Sequence, residues 1–177
     1  MRPNDVIYFD NGKVIGIVEN VDVTEASLNI KSGGTLKGLS QVRFVGGNHK
    51  VEEIVRKDDL LNLQQISQSS IIDFIAVPFV MEAADVKFVR ECLGPHGKNI
   101  SILAKIDTLE GLKNYESIID AADGVIVVRN ELHWEVSPEK MVIAQKWLID
   151  YANSKGKMVM IQSQVLESMV TENQPTR

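Results

Sequence analysis

Lys105 and Asp107 close a run of apolar residues and are the side chains in this sequence best placed to do chemistry. The run reads Ser101-Ile102-Leu103-Ala104-Lys105-Ile106-Asp107, and a charged amine there is costly unless something at that position needs it. In a β-strand, residues i and i+2 share a face, so the ammonium and the carboxylate project to the same side. A strand end that presents both groups could hold a phosphoryl group and its metal ion.

Short runs of apolar, β-branched residues predict the strands that position such groups. Nearly unbroken runs of this kind are typical of parallel strands that are buried on both faces. The predicted strands are Ile71 to Val77, Ile100 to Ile106, Gly124 to Val128 and Met158 to Ile161.

Helices are predicted in the gaps between these strands. Two of them run from Ala83 to Leu93 and from Thr108 to Ala122, and the third is capped by Ser137, begins at Pro138 and ends at Gly156. Four consecutive βα units predict a parallel sheet with right-handed crossovers. A doubly wound sheet and a section of a (β/α) barrel both satisfy this pattern.

Polar residues recur where the predicted strands end, which favours the barrel, because a barrel assembles its active site from strand ends. Two carboxylates and an ammonium on one rim could bind a hard divalent cation and a phosphate, with Mg²⁺ favoured over zinc. The alternative is structural, with Lys105, Asp107, Arg129 and Glu131 forming ion pairs that tie the strand ends together. The polar residues at the strand ends are Lys105, Asp107, Arg129, Asn130, Glu131, Ser163 and Gln164.

The first 48 residues differ from the rest and predict a small antiparallel unit. An Asn-Gly turn joins Val6–Phe9 to Val14–Val18, and Ser27–Ile30 and Val42–Val45 supply further short strands before Gly46-Gly47. Residues 1–48 are therefore assigned to one domain and residues 49–177 to a second, the partial barrel.

Composition narrows the functional class. With 44% apolar residues, 24% charged residues and a net charge of -5, we expect a globular protein that binds neither nucleic acid nor a membrane. Cys92 is the single cysteine, and His49, His96 and His133 are scattered, which disfavours a disulfide framework and a histidine metal site. Without a secretory signal pattern, a cytoplasmic location is expected.

Several motifs, in order along the chain, resemble the pyruvate kinase family. The resemblance spans essentially the whole chain, which would correspond to the end of the family's lid domain and to barrel strands four to seven. The motifs are Asp5-Val6-Ile7-Tyr8-Phe9-Asp10-Asn11-Gly12, Ala104-Lys105-Ile106-Asp107 with Glu110-Gly111, Asp123-Gly124-Val125-Ile126-Val127-Val128-Arg129, Pro138-Glu139-Lys140, Gln164-Val165-Leu166-Glu167-Ser168-Met169 and Pro175-Thr176-Arg177.

The resemblance implies a partial (β/α)8 TIM barrel of pyruvate kinase type, with about four βα units, preceded by a small antiparallel β unit. The family transfers a phosphoryl group from phosphoenolpyruvate to ADP, giving pyruvate and ATP, and uses Mg²⁺ and K⁺. By resemblance, Lys105 and Ser163 would be catalytic, and Asp107 and Glu131 would be the metal ligands. Arg129, Asn130, Glu131 and Ser163 would contact the substrate.

The sequence departs from the family at several of these positions. Asp107 and Glu131 exchange the lengths of the family's two carboxylates, Asn130 and His133 replace glycines, and Ser163 replaces a threonine. The family's first three barrel strands have no counterpart here, so we expect a chain that is weak or inactive alone. Three interpretations of the chain stay open. It could be a fragment of a longer enzyme, a pseudoenzyme or interaction subunit, or a half-barrel that pairs with itself or with a full-length relative.

Overall fold

The chain divides into two compact units, Met1–Lys50 and Val51–Arg177. They are seen in a computed structural model that describes residues 1–10, 12–45, 55–69, 71–163, 165–171 and 173. The predicted features at Asn11, Gly46-Gly47, His49, Gln164 and Pro175-Thr176-Arg177 lie outside these residues. The assignment of the first 48 residues to a lid domain stays a prediction.

The first unit is a four-stranded antiparallel sheet. Its strands are β1 (Val6–Phe9), β2 (Val14–Val21), β3 (Ala26–Ser32) and β4 (Val42–Val45), in the order β3-β2-β1-β4. Phe9 pairs with Val14, so β1 and β2 form a hairpin. Alternate residues of β2 are buried, as expected when only one face of a strand packs against other residues.

The second unit contains the predicted parallel sheet. Its strands are β5 (Phe74–Val77), β6 (Ser101–Ile106), β7 (Gly124–Val128) and β8 (Met158–Gln162), in sequential order. Val77 pairs with Ala104, and Ile106 pairs with Val127. Within the part of the chain that the structure describes, the four strands form an open sheet with β5 and β8 at its edges.

The helices connect these strands. They are α1 (Lys57–Ser67), α2 (Ala83–Leu93), α3 (Leu109–Lys113), α4 (Tyr115–Ala121), α5 (Arg129–Leu132) and α6 (Pro138–Ser154), with 3₁₀ turns at Pro95–Asn99 and Glu167–Val170. The longest of them, α6, has 17 residues, and no helix among the described residues is both long and apolar enough to cross a membrane.

Two expectations about the helices are wrong. The single helix predicted from Thr108 to Ala122 is two helices, because Asn114 interrupts it and donates from its side-chain amide to the Met81 carbonyl at 2.8 Å. Asparagine is a poor helix former, which favours a break at this position. Ser137 does occupy the N-cap position of α6, but its hydroxyl makes no capping hydrogen bond.

The core lies between the sheet and the helices. Ile102, Ala104 and Ile106 of β6 are fully buried, as are Ile118 of α4 and Leu148 of α6. These residues alternate along β6, so one face of the strand packs against the helices. Burial of this face supplies the main stabilising free energy of the unit.

The opposite face of the sheet is only partly covered, so the expectation that the strands are buried on both faces is wrong for the edge strands. Phe74 of β5 is 51% exposed, and Met158 and Met160 of β8 are 37% and 42% exposed. In the central strands, Leu103 and Val128 are buried. An edge strand has a neighbour on one side only, so its side chains lose half of the packing that a central strand receives.

Candidate functional site

Asp107 follows β6 at the carboxyl edge of the parallel sheet, two residues beyond Lys105. Lys105 is half-buried, and Asp107 is only 5% exposed. Asp107 Oδ2 accepts a hydrogen bond from the Phe79 backbone N–H at 3.0 Å. Since Phe79 follows β5, this bond ties the ends of two neighbouring strands together and fixes the orientation of the carboxylate.

Phe79 donates this bond from an unusual backbone conformation. Its φ is 55°, in the left-handed region that a phenylalanine seldom adopts. A residue held there costs on the order of 1–3 kcal/mol and persists only when its surroundings hold it. No signal in the sequence pointed to this backbone amide, because a main-chain donor can be recognised only once the fold places it.

The chain turns into α5 directly after β7, so Arg129, Asn130 and Glu131 lie on a short helix rather than on an extended strand end. Arg129 and Glu131 are half-buried, and Asn130 is exposed. The sequence placed these residues at the correct edge of the sheet but did not predict the helical turn. That turn directs the side chains of consecutive residues about 100° apart, where a strand would alternate them by 180°.

Ser163 follows β8 and contacts Asn130 twice. The Ser163 hydroxyl donates to Asn130 Oδ1 at 2.6 Å and accepts from the Asn130 backbone N–H at 3.2 Å. The Asn130 side-chain amide in turn donates to Glu131 Oε1 at 3.1 Å. The structure therefore brings Asn130, Glu131 and Ser163 into one hydrogen-bonded group, which the spacing of the residues in the sequence could not reveal.

Ser163 also has a strained backbone, with a φ of 104°. Strain of this kind clusters at ligand sites and switch regions, where the surrounding structure holds it in place. The two hydrogen bonds with Asn130 help to hold Ser163 in this conformation.

The chemistry of the site is that of oxygen donors and cations. Asp107 and Glu131 offer carboxylate oxygens, the ligands that Mg²⁺ prefers, and Lys105 adds an ammonium on the same edge. Among the described residues, no cluster of three or more histidine, cysteine, aspartate or glutamate side chains has the geometry of a metal site. The predicted ligand set is smaller than such a cluster, so a cation here would need further ligands from substrate or water.

Asp123 has a perturbed pKa but lies at the opposite edge of the sheet, before β7. Burial raises the pKa of the Asp123 carboxyl, but hydrogen bonds from the Ile102 N–H at 2.8 Å and from Arg90 Nη2 at 2.7 Å, with the nearby positive charge of Lys157, outweigh it. The net pKa therefore lies below its usual value. Because these groups tie β6, β7 and α2 together, we interpret this ion pair as structural.

A separate groove lies among the helices of the second unit. It has a volume of about 630 Å³ and lies between α3 and α6, with apolar walls that include Leu112, Ile143 and Trp147. None of the predicted site residues lines it.

Comparison with known proteins agrees with this architecture. A profile of the family described as "Pyruvate kinase, barrel domain" matches residues 1–177. The chain is 36% identical over 171 residues to "Pyruvate kinase PKLR" of Rattus norvegicus, covering 97% of this chain and 29% of the relative. It is 32% identical to "Pyruvate kinase" of Schizosaccharomyces pombe and 34% identical to "Pyruvate kinase" of Leishmania mexicana, in each case over 100% of this chain and 35% of the relative.

The chain thus spans about a third of the length of these relatives. The matches run through both units and include the parallel sheet whose carboxyl edge carries Lys105 and Asp107. A family profile that covers every residue, supported by relatives above 30% identity over nearly the whole chain, shows where the chain belongs. It is a member of the pyruvate kinase family.

Proposed function

We propose that this chain carries part of a site for phosphoryl transfer between phosphoenolpyruvate and ADP, as the names of its relatives indicate. The observation that carries the proposal is the common edge of the sheet, where polar groups follow three neighbouring parallel strands, β6, β7 and β8. In parallel βα folds, ligands bind at this edge. The family membership supplies the reaction.

The two substrates impose clear demands on the residues. In the forward reaction the bond between the enol oxygen and phosphorus breaks, and an oxygen of ADP forms a new bond to the same phosphorus. The C3 carbon of the resulting enolate then takes up a proton to give the methyl group of pyruvate. Negative charge develops on phosphoryl and enolate oxygens, so a fixed ammonium beside them lowers the barrier.

In this proposal, Lys105 stabilises the transferring phosphoryl group and the enolate oxygen. Ser163 relays a proton: its hydroxyl proton passes to C3, and a water molecule returns a proton to the serine oxygen. Arg129 and the main chain of Asn130, at the amino end of α5, contact the substrate. Asp107 and Glu131 would hold Mg²⁺, which supplies charge neutralisation when bound. Binding of K⁺, which the family uses, stays an expectation, and no residues are assigned to it.

Lys105→Met tests the proposal. Pyruvate formation from phosphoenolpyruvate and ADP with Mg²⁺ is followed through a coupled dehydrogenase. Loss of an oxyanion-stabilising cation should reduce turnover by about 10²-fold or more. The matched control is Lys87→Met, which removes an exposed lysine of α2 and should leave turnover unchanged. Equal rates for the two variants would refute the proposal.

The second candidate is an interaction role, as a pseudoenzyme or a half-barrel that pairs with another copy or with a full-length relative. The observation that favours it is the exposed apolar surface of the edge strands, at Phe74, Met158 and Met160. Sedimentation velocity tests this role, since it requires a dimer or a mixed complex at micromolar concentration. A monomer that does not bind a full-length relative would rule it out. The cytoplasmic location stays a prediction from the sequence.

A further inference from the structure

The chain of contacts from Glu131 through Asn130 to Ser163 has a defined direction of hydrogen bonding. The Asn130 side chain carries one acceptor oxygen and one donor NH₂ group. Because the Glu131 carboxylate can only accept, the NH₂ group must face Glu131, and the oxygen then faces Ser163. The serine hydroxyl is therefore the donor in the 2.6 Å contact.

This direction decides what Ser163 can offer to a bound molecule. Its single proton is taken by Asn130 Oδ1, and one of its two lone pairs is taken by the Asn130 N–H. A hydroxyl in this state can accept one more hydrogen bond but cannot donate one. A proton relay through Ser163 would need the contact with Asn130 to open first.

We infer that Asn130 is a positioning residue that holds the Ser163 hydroxyl proton away from the substrate and couples Ser163 to the Glu131 carboxylate. The inference rests on the proposed function, because it takes Ser163 as the proton relay. In this role, the Asn130 side chain slows protonation of the enolate and also holds the Glu131 carboxylate in place. The exposure of Asn130 allows its side chain to swing into solvent when the contact opens.

A double-mutant cycle on the whole chain tests the contact without any need for activity. Asn130→Ala, Ser163→Ala and the double variant are compared by urea unfolding. A side-chain hydrogen bond of this kind should couple the two positions by about fivefold in the unfolding equilibrium constant. Additive effects of the two substitutions would overturn the inference. Asn153→Ala, on an exposed position of α6, is the control and should be additive with Ser163→Ala.

The functional half of the test follows deuterium from D₂O into the methyl group of pyruvate with Mg²⁺ present. Asn130→Ala should raise this rate by about fivefold, the weight of the lost hydrogen bond. The same substitution in a Ser163→Ala background should change nothing. Coupling in unfolding with an unchanged exchange rate would show a merely structural contact and overturn the inference. Coupling with no exchange in any variant would overturn the proposed function and leave the contact standing.

Discussion

Gly124 opens β7 at a position where the sheet has no room for a side chain. It pairs with Leu103 of β6 on one side and with Met158 of β8 on the other. A Cβ atom at this position would lie 2.8 Å from Leu103 Cδ2, 2.8 Å from the Met158 carbonyl oxygen and 3.2 Å from Met158 Cβ. Gly124→Ala therefore tests whether the two neighbours are packed as closely as the structure places them.

The expected loss follows from these three distances. The Leu103 methyl group ends a flexible side chain and can rotate away, but the Met158 carbonyl belongs to the backbone of a paired strand. Relief requires β8 to move by several tenths of an ångström, because ordinary contact begins near 3.4 Å. Such overpacking destabilises a fold by about 1–3 kcal/mol, so we expect a loss of about 2 kcal/mol.

Urea unfolding monitored by tryptophan fluorescence measures this loss. Both tryptophans, Trp134 and Trp147, lie in the second unit, so the signal reports on the unit that contains the substitution. With a denaturant slope of about 2 kcal/mol per molar urea, the midpoint should fall by about 1 M. Asn153→Ala, at an exposed position of α6 in the same unit, is the control and should leave the midpoint nearly unchanged. A midpoint for Gly124→Ala equal to that of the parent chain would refute this packing.

Two further substitutions probe the core and the amino edge of the sheet. Tyr115 is fully buried, its hydroxyl donates to the Leu148 carbonyl at 2.7 Å, and burial raises its pKa far above the usual value. Tyr115→Phe should cost about 1 kcal/mol in urea unfolding, and Tyr115 should be the last tyrosine to ionise in an ultraviolet titration; ionisation with the others would contradict its burial. The pKa of Asp123 is lowered in the folded chain, so its carboxylate stabilises the fold above its unfolded-state pKa of about 3.9, and this contribution disappears as the pH falls through the folded-state pKa. Because the side chain is 39% exposed, Asp123→Asn should lower the free energy of unfolding by only about 1 kcal/mol at pH 7. The variant should also lose less stability than the parent chain as the pH falls below 4. An equal loss in both proteins would show that Asp123 does not contribute to acid unfolding.

The parallel sheet could be predicted because its signal is local. Runs such as Gly124 to Val128 are short and almost wholly apolar, and the structure confirms strands there and at Ser101–Ile106. The interruption at Asn114 was not predicted, because the contact that accompanies it, a hydrogen bond to Met81, joins residues 33 positions apart. The exposed faces of β5 and β8 were likewise invisible, since a strand carries the same apolar pattern whether or not a neighbour covers it.

The sequence by itself determined the family, the order of the βα units and the placement of polar residues at strand ends, because these depend on residue types and on spacing along the chain. Only the tertiary structure decided which of those polar groups touch. It tied Asp107 to the Phe79 amide and joined Ser163 to Asn130 across the ends of two strands. The physical reason is that a hydrogen bond depends on the distance and direction between two atoms. For residues 28 and 33 positions apart, the packing of the sheet sets both.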